Sequence, residues 1–222
     1  MPRLTVRTLV LAMAGLWMMV APPARSQEGP TTETMVGALS GLQTPSDLDV
    51  PTLRQQAADR LKKKNDPPLK RPLLSPELNK LPHIDLDIQF NPDSPVIRPE
   101  SYRTIGRLAD ALTNPALASF TYLIVGRMDA NGRRDNNLAL SQRRAESIRD
   151  ALVTTFKVSS KRILAVGLGE EQLVDANNPK AIVNQQTEIV TLREIAQVAS
   201  SGSVKPPDAS RAAKGARKGG KK

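Results

Sequence analysis

The chain of 222 residues contains no cysteine. Disulfide bonds, thiolate metal sites, cysteine nucleophiles and lipid attachment to an N-terminal cysteine are therefore excluded for this sequence. Aromatic residues are also few, at three phenylalanines, two tyrosines and one tryptophan, whereas prolines number 18. With so few large core residues, the sequence predicts one modest domain and a considerable length of chain outside it.

Motifs for catalysis are equally scarce. His83 is the only histidine, so no Ser-His-Asp arrangement is indicated, and no G-x-S-x-G elbow is present. Asp85 and Asp87 share one face of a predicted strand. We interpret them as part of a solvated face rather than as a carboxylate pair for acid–base catalysis. Gly167 and Gly169 lack the third glycine of a dinucleotide site, and we interpret them as a turn. We expect a protein that is not an enzyme and holds no cofactor and no metal.

The net charge of +10 is concentrated at the two ends of the chain. Residues 1–27 carry three arginines and no acid, and residues 205–222 carry seven basic residues and one aspartate. The remainder is nearly neutral and lacks the basic face that a nucleic-acid-binding domain requires. We therefore expect no specific nucleic-acid partner.

Residues 200–222 form a basic tail of Ser, Gly, Ala, Pro, Lys and Arg. Such a composition buries too little apolar surface to order itself, so the tail is predicted to be disordered. Two interpretations stay open from the sequence. The tail is either a solvated extension or an electrostatic contact to an anionic polymer or a membrane surface.

Residues 1–26 have the pattern of a secretory signal peptide. Basic residues precede an apolar run from Leu9 to Val20, which is too short for a transmembrane helix. Ala24-Arg25-Ser26 matches a small-x-small cleavage site, so the mature chain is predicted to begin at Gln27. We expect a soluble periplasmic protein, and the alternative is an uncleaved N-terminal anchor.

Residues 27–80 are rich in proline, threonine, serine and charge, and they predict a linker. Within it, Leu53, Ala57 and Leu61 recur at helical spacing and predict a short amphipathic helix over 50–64. The favoured interpretation is a helix that lies on the folded domain or frays in the linker. The alternative is a helix that binds an envelope protein partner through residues 28–80.

Residues 81–199 predict the folded domain. Alternating or continuous apolar runs indicate strands, and apolar stripes at helical spacing indicate helices. The predicted strands are 84–90, 120–125, 162–166 and 188–192, and the predicted helices are 99–112 and 135–156. The order β-α-β-α-β-β is typical of an α/β fold of the α+β two-layer sandwich type.

Asp129 and Arg144 carry the strongest functional signal. Asp129 follows a predicted strand, and Gly132 supplies a turn toward the next helix. Asn137, Ser141 and Arg144 lie at i, i+4 and i+7 on that helix and share one face. A carboxylate facing a guanidinium suits a zwitterion, since each binds the opposite charge of an α-amino-acid head group. The alternative from these residues alone is an internal salt bridge between loop and helix.

A series of motifs along residues 84–192 matches one family in spacing. The matching positions are Phe90, Asp93, Ser94, Ile97, Pro99 and Glu100, then Gly126, Asp129 and Gly132, then Asn137, Leu140, Ser141, Arg144 and Ala145, and finally Gly167, Gly169 and Glu170. In these positions the segment resembles the OmpA-like domain of Gram-negative envelope proteins, which binds peptidoglycan non-covalently.

The resemblance implies a site for meso-diaminopimelate, a residue of the peptidoglycan stem peptide. It implies that Asp129 and Arg144 bind the α-ammonium and the α-carboxylate, that Asn137 supports them, and that Asp93 belongs to the same ligand-binding set. The protein would then anchor or tether an envelope component to the cell wall without catalysis.

Two departures from the family pattern fall at this site. Arg127 and Met128 stand where the family has His-Thr, and Gln185 and Gln186 stand where it has two arginines. An arginine at position 185 is expected to help hold the ligand. One hydrogen bond lost to a charged group weakens affinity by about 10- to 100-fold, so binding is expected to be weakened rather than abolished.

Arg127 has two predicted roles. It either replaces the lost positive charge, or it pairs with Asp129 and occupies the site. The departures also support an alternative function, in which a degenerate OmpA-like domain has lost its ligand and acts as a protein–protein interaction module.

Overall fold

The computed structural model describes residues 29–42, 46, 48–62 and 71–194. Eight longer helices and strands follow one another in that part of the chain. They are α1 (Thr32–Leu39), α2 (Val50–Lys62), β1 (His83–Leu86), α3 (Tyr102–Thr113), β2 (Phe120–Arg127), α4 (Arg134–Asp150), β3 (Ile163–Gly169) and β4 (Thr187–Glu194). The predicted β-α-β-α-β-β order of the domain is confirmed.

The four strands form one sheet in the order β1-β4-β2-β3. β4 runs antiparallel to both of its neighbours, and β2 and β3 are parallel. The two central strands carry nearly continuous apolar runs because helices cover both faces of the sheet. Tyr122 and Ile124 point to one core, and Leu123 and Val125 point to the other.

α3 and α4 cover the first face of the sheet. Most of the predicted stripe of α3 is buried there, at Ile105, Leu108, Ala109 and Leu112. Tyr102, predicted as part of the stripe, is exposed at the start of the helix. α4 adds Ala145 and Ile148 to the same core. These two helices form the helix layer of the predicted sandwich. The position of α4 in this layer places its polar residues at one end of the sheet.

Two glycines let α4 lie almost directly on the strands beneath it. A Cβ atom at Gly126 would stand 2.5 Å from the carbonyl oxygen of Ser141, and one at Gly167 would stand 2.1 Å from the backbone nitrogen of Gln142. No other residue type fits such a close approach of backbones. The first half of α4 is therefore held over the carboxyl ends of β2 and β3.

β3 is an edge strand, and side chains bond its outer backbone groups. Arg54 Nη2 donates to the Ala165 carbonyl at 3.0 Å, Arg149 Nε donates to the Ile163 carbonyl at 3.1 Å, and Gly167 N donates to Gln142 Oε1 at 2.8 Å. The edge is thereby closed to pairing with another strand. Gly167 and Gly169 belong to this strand, so their interpretation as a turn was wrong.

β1 ends earlier than predicted. It stops at Leu86 rather than Phe90, because the chain then bends away from β4. Gln89 N donates to Ser101 Oγ at 2.7 Å, and Phe90 pairs with Ile97 in an isolated bridge. This bend opens space at the end of the sheet beside β2 and α4.

The described parts of residues 27–80 pack on the domain, which corrects the prediction of a linker there. α1 was not predicted, yet Met35 and Leu39 are fully buried in the first core. α2 lies on the domain, as the favoured interpretation had it, and buries Leu53 and Ala57 in the second core. Leu78, in the segment predicted to be an extended linker, is buried beside them. The second face of the sheet is apolar, and α2 and the segment around Leu78 shield it from water.

The predicted signal peptide (residues 1–26) and basic tail (residues 200–222) lie outside the described residues. Within the described ranges, none of the helices has the length and apolar character needed to cross a membrane.

Candidate functional site

Asp129 lies just beyond the end of β2 and is 3% exposed. Its Oδ2 accepts hydrogen bonds from Gln185 Nε2 at 2.8 Å and from Asn131 Nδ2 at 2.7 Å. Its Oδ1 accepts from the Asn131 backbone nitrogen at 3.4 Å, a long contact. Because a carboxylate oxygen has two acceptor sites, Oδ1 retains the capacity to bind a ligand donor.

Asn137, in the first turn of α4, holds the loop that carries Asp129. Its Nδ2 lies 3.1 Å from the carbonyl oxygen of Asp129, 2.9 Å from that of Asn131 and 3.1 Å from Oε2 of Glu170. Two N–H bonds are thus shared among three acceptors. This buried amide fixes the loop against the helix, which agrees with the supporting role that the family resemblance implies.

Arg144 projects from the same face of α4, two turns further on. Its Nε donates to the Ser94 carbonyl at 3.1 Å, and its Nη1 lies 3.3 Å from the Met128 sulfur. The guanidinium also stands over the Phe90 ring, 4.8 Å from the centroid. In the described part of the chain it forms no ion pair, so the alternative of an internal Asp129–Arg144 salt bridge is not realised.

Burial lowers the pKa of Arg144 below its ordinary value, and the carboxylates of Asp93 and Asp129 oppose that shift. Asp93 sits in the turn after β1 with a φ of 49°, a left-handed conformation that is uncommon outside glycine. The two carboxylates supply negative potential beside the guanidinium without neutralising it by contact. The site therefore keeps separate positive and negative groups.

Five of the six predicted site residues line one cleft of ≈ 630 Å³, here called the Asp129–Arg144 cleft. They are Asp93, Asp129, Asn137, Arg144 and Gln185. Met128 lines it as well, so a thioether stands where the family pattern has a threonine hydroxyl. The spacing of α4 and the loop after β2 bring Asp129, Asn137 and Arg144 together, as the sequence predicts. Asp93 and Gln185 come from other segments, and only the family resemblance had pointed to them.

Arg127 is the sixth, and the structure does not place it in this cleft. Its Nη2 pairs with Oε2 of Glu188 on β4, and the side chains are 6% and 3% exposed. Arg127 lines a neighbouring groove of ≈ 520 Å³, which shares Phe90, Arg144 and Gln185 with the cleft. The predicted pairing with Asp129 is not realised, because β4 offers a nearer carboxylate on the same face of the sheet. The other predicted role, replacement of the lost positive charge, stays a prediction.

Sequence reasoning missed Glu188. Desolvation raises the pKa of its carboxyl above the ordinary 4.5, and the charges of Arg127 and His83 oppose the shift. Glu188, Val190 and Leu192 occupy every second position of β4 and therefore share one buried face. A charged residue in line with two apolar ones was the sequence signal for a buried ion pair. The pair joins β2 to β4 beside the cleft.

The cleft presents groups of opposite charge to one space. It offers a carboxylate oxygen with free acceptor capacity and a guanidinium partly engaged by a carbonyl, which together match a ligand with an ammonium and a carboxylate. Across residues 29–42, 46, 48–62 and 71–194, the acidic and histidine side chains form no group of three that could hold a metal ion.

The fold is an α+β domain with a cleft at the end of its sheet, where the carboxylate of Asp129 and the guanidinium of Arg144 stand apart. The model of the OmpA family matches residues 89–187, which contain every predicted site residue. This part of the chain is an OmpA-like domain.

Curated relatives are similar over the same part of the chain. Outer membrane porin F of Pseudomonas aeruginosa is 34% identical over 102 residues, which cover 46% of this chain and 29% of the porin. The peptidoglycan-associated lipoprotein of Mesorhizobium japonicum is 33% identical over 104 residues, covering 47% of this chain and 60% of the lipoprotein. The match therefore spans less than two thirds of either relative.

Among solved structures, the peptidoglycan-associated lipoprotein from Burkholderia pseudomallei is similar, with 28% sequence identity and a TM-score of 0.38. The alignment covers 56% of this chain and 98% of that one.

Proposed function

We propose that this protein binds peptidoglycan without catalysis, by recognising the diaminopimelate residue of the stem peptide in the Asp129–Arg144 cleft. The observation that carries the proposal is the arrangement of these two side chains. Both face one cleft, and they stay separate instead of neutralising each other. A relative that shares 33% identity over this domain is named a peptidoglycan-associated lipoprotein, which supports the same ligand.

The free head group of diaminopimelate carries an ammonium and a carboxylate on one carbon. The ammonium would donate to Oδ1 of Asp129, which has only one long hydrogen bond. The carboxylate would accept from the guanidinium of Arg144, whose Nη2 has no partner among the described residues. Charge-assisted bonds of this kind are shorter and stronger than neutral ones, and the burial of the cleft strengthens them further.

We propose a periplasmic location in the cell envelope, where the domain would tether another envelope component to the wall. The relatives in which the domain occurs are named as an outer membrane porin and a lipoprotein, which supports this location. The basic residues of 205–222 would add an electrostatic contact to an anionic wall polymer or membrane surface.

A second candidate is a domain that has lost its ligand and binds a protein partner instead. The observation that favours it is the engagement of Asp129 Oδ2 by both Gln185 and Asn131, which leaves less of the carboxylate for a ligand. The hydrogen bond from Arg144 Nη1 to the Met128 sulfur points the same way, because it occupies a donor of the guanidinium.

Co-sedimentation with purified diaminopimelate-type sacculi tests the first proposal against the second. The chain from Gln27 would be run with and without residues 200–222, so that retention by the basic tail is seen separately. Asp129→Ala and Arg144→Ala would be compared with Asp110→Ala and Arg103→Ala, which change exposed residues of α3.

Removing one partner of a desolvated charge pair costs about 2–5 kcal/mol, so both cleft variants are expected to bind at least about 30-fold more weakly. The two α3 variants are expected to pellet like the parent. A parent chain without its tail that stays in the supernatant would refute wall binding and favour the protein-interaction module.

A further inference from the structure

A buried ion pair joins the N-terminal segment to the β3–β4 loop beneath the cleft. Arg71 Nη1 and Nη2 donate to Oε1 of Glu170 at 3.2 and 3.3 Å, and the two side chains are 8% and 7% exposed. Glu170 directly follows β3, at the end of the glycine motif of residues 167–170. Arg71 itself lies outside the region that the family model matches.

The other oxygen of Glu170 faces the cleft. Its Oε2 accepts from Nδ2 of Asn137 at 3.1 Å. The same nitrogen reaches the backbone oxygens of Asp129 and Asn131, at 3.1 and 2.9 Å. An unbroken series of polar contacts therefore runs from Arg71 through one carboxylate and one amide to the loop that presents Asp129.

The docking of the N-terminal segment is well defined around Arg71. Arg60 of α2 donates to the carbonyls of Pro72 and Leu73, at 2.7 and 3.2 Å, and to that of Glu171 at 3.3 Å. Ser75 N donates to Oε1 of Gln172 at 3.0 Å. Residues 71–75 thus lie along residues 170–172. Within this contact, Arg71 binds the Glu170 carboxylate, which also accepts a hydrogen bond from Asn137.

We propose that Arg71 is a positioning residue for the Asp129–Arg144 cleft, which couples docking of the N-terminal segment to ligand binding. This inference rests on the function proposed above. A carboxylate as buried as Glu170 is held in place by a cationic partner that balances its charge, and Arg71 supplies that partner. With the carboxylate fixed, Asn137 is oriented and the Asp129 loop holds one geometry.

Coupling between two sites is reciprocal. If docking of residues 71–75 orders the Asp129 loop, an occupied cleft stabilises the docked segment to the same extent. A force or a partner that displaces the N-terminal segment would then weaken attachment to the wall. The coupling expected for residues outside a ligand contact changes affinity by about 2- to 30-fold.

The test compares Arg71→Met with Arg54→Met in the full chain from Gln27. Arg54 also anchors the N-terminal region, through the Ala165 carbonyl, but touches neither Glu170 nor Asn137. The first readout needs no ligand. Amide hydrogen exchange would be measured at Ala130, whose N–H donates to the Pro179 carbonyl at 2.8 Å, and at Ile124 in the centre of β2.

Arg71→Met is expected to speed exchange at Ala130 by about 2- to 30-fold with little change at Ile124. Arg54→Met is expected to leave the ratio of the two exchange rates unchanged. An equal rise at both amides would show a general loss of stability and would overturn the proposal. Unchanged exchange at Ala130 would overturn it as well.

The second readout is affinity for a stem tripeptide with meso-diaminopimelate at the third position. Arg71→Met is expected to bind about 2- to 30-fold more weakly and Arg71→Lys to recover part of the loss. In a Glu170→Gln background the carboxylate shared by Arg71 and Asn137 is gone, and the other carboxylate near Arg71, that of Glu171, keeps its ion pair with Arg134. Arg71→Met is therefore expected to have little further effect on affinity there. Equal costs in both backgrounds would contradict the route through Glu170.

The two proposals fail in different ways. If the parent does not bind the tripeptide, the proposed function fails, and the exchange measurement decides the role of Arg71 alone. If the parent binds and Arg71→Met binds equally well, the role of Arg71 fails while wall binding stands.

Discussion

Gln185 donates a hydrogen bond from its side-chain amide to Oδ2 of Asp129 over 2.8 Å. The contact joins the segment just before β4 to the loop just after β2, and both residues line the cleft. In the family pattern an arginine occupies this position, so a neutral donor here takes the place of a cation that would face the ligand. The residue keeps Asp129 in place but adds no charge to hold a carboxylate.

Restoring the arginine should therefore strengthen binding. Gln185→Arg is expected to raise affinity for a diaminopimelate tripeptide by about 10- to 100-fold, because it adds a hydrogen bond from a charged donor to the ligand carboxylate. Isothermal titration calorimetry would measure the change. A fall in affinity would contradict the expectation and would mean that the new guanidinium pairs with Asp129 instead.

The close approach of α4 to the sheet predicts a large effect of a single methyl group. Gly167→Ala should destabilise the protein by about 1–3 kcal/mol or more, since its Cβ would stand 2.1 Å from backbone of α4. Gly37 lies on the exposed side of α1, and a Cβ added there would meet no atom within 4 Å. Gly37→Ala should therefore stabilise the protein by about 0.5–1 kcal/mol, because alanine loses less backbone entropy on folding. Urea titrations of the free energy of unfolding would compare them, and equal effects would contradict the packing described.

The helices of the predicted linker should contribute to stability as core elements do. Met35→Ala in α1 and Leu53→Ala in α2 are each expected to cost about 2–5 kcal/mol, because both side chains are almost completely buried. Gln56→Ala, on the exposed face of α2, serves as the control and should change stability little. Urea unfolding gives all three values, and losses near zero for the apolar pair would restore the linker interpretation.

Alkaline pH should weaken the fold through Tyr122. Burial raises the pKa of its phenol from 10.0 to about 12, with Arg162 opposing the shift, and the hydroxyl donates to the Leu117 carbonyl at 2.8 Å. A pKa that is higher in the folded state means that the neutral form is favoured there. The stabilisation is complete below pH 10 and is lost as pH rises toward 12.

The loss over that interval is about 2–3 kcal/mol. Tyr122→Phe removes the titrating group, so the unfolding free energy of the parent relative to the variant should fall by about 2 kcal/mol as pH rises from 9 to 11.5 and should change sign. The Leu117 carbonyl still accepts from Arg162 in the variant, which limits the cost at neutral pH to about 1 kcal/mol. A difference that stays constant with pH would contradict the raised pKa.

Local patterns in the sequence carried much of this structure. Apolar periodicity placed α3, β2 and α4 within a few residues, because their amphipathic or buried faces are long and regular. Helical spacing put Asn137 and Arg144 on one face of α4, and the structure has both lining the cleft with Asp129.

Contacts between distant parts of the chain were out of reach of the same reasoning. Arg127 pairs with Glu188, 61 residues away, and strand pairing decides which carboxylate is nearest. α1 is only eight residues long, with too few apolar positions for its periodicity to stand out, although the sheet edge and α3 bury it. Arg71 was likewise hidden in a proline-rich segment whose docking depends on the loop after β3.

Recognition of a zwitterionic head group is the central claim, and one comparison of ligands tests it most directly. Calorimetry would measure binding of the chain from Gln27 to two stem tripeptides, with meso-diaminopimelate or with L-lysine at the third position. The lysine peptide has the ammonium but lacks the carboxylate that Arg144 would hold. The account predicts that the diaminopimelate peptide binds and that the lysine peptide binds at least about 30-fold more weakly. Equal affinity for the two peptides, or binding of neither, would contradict it.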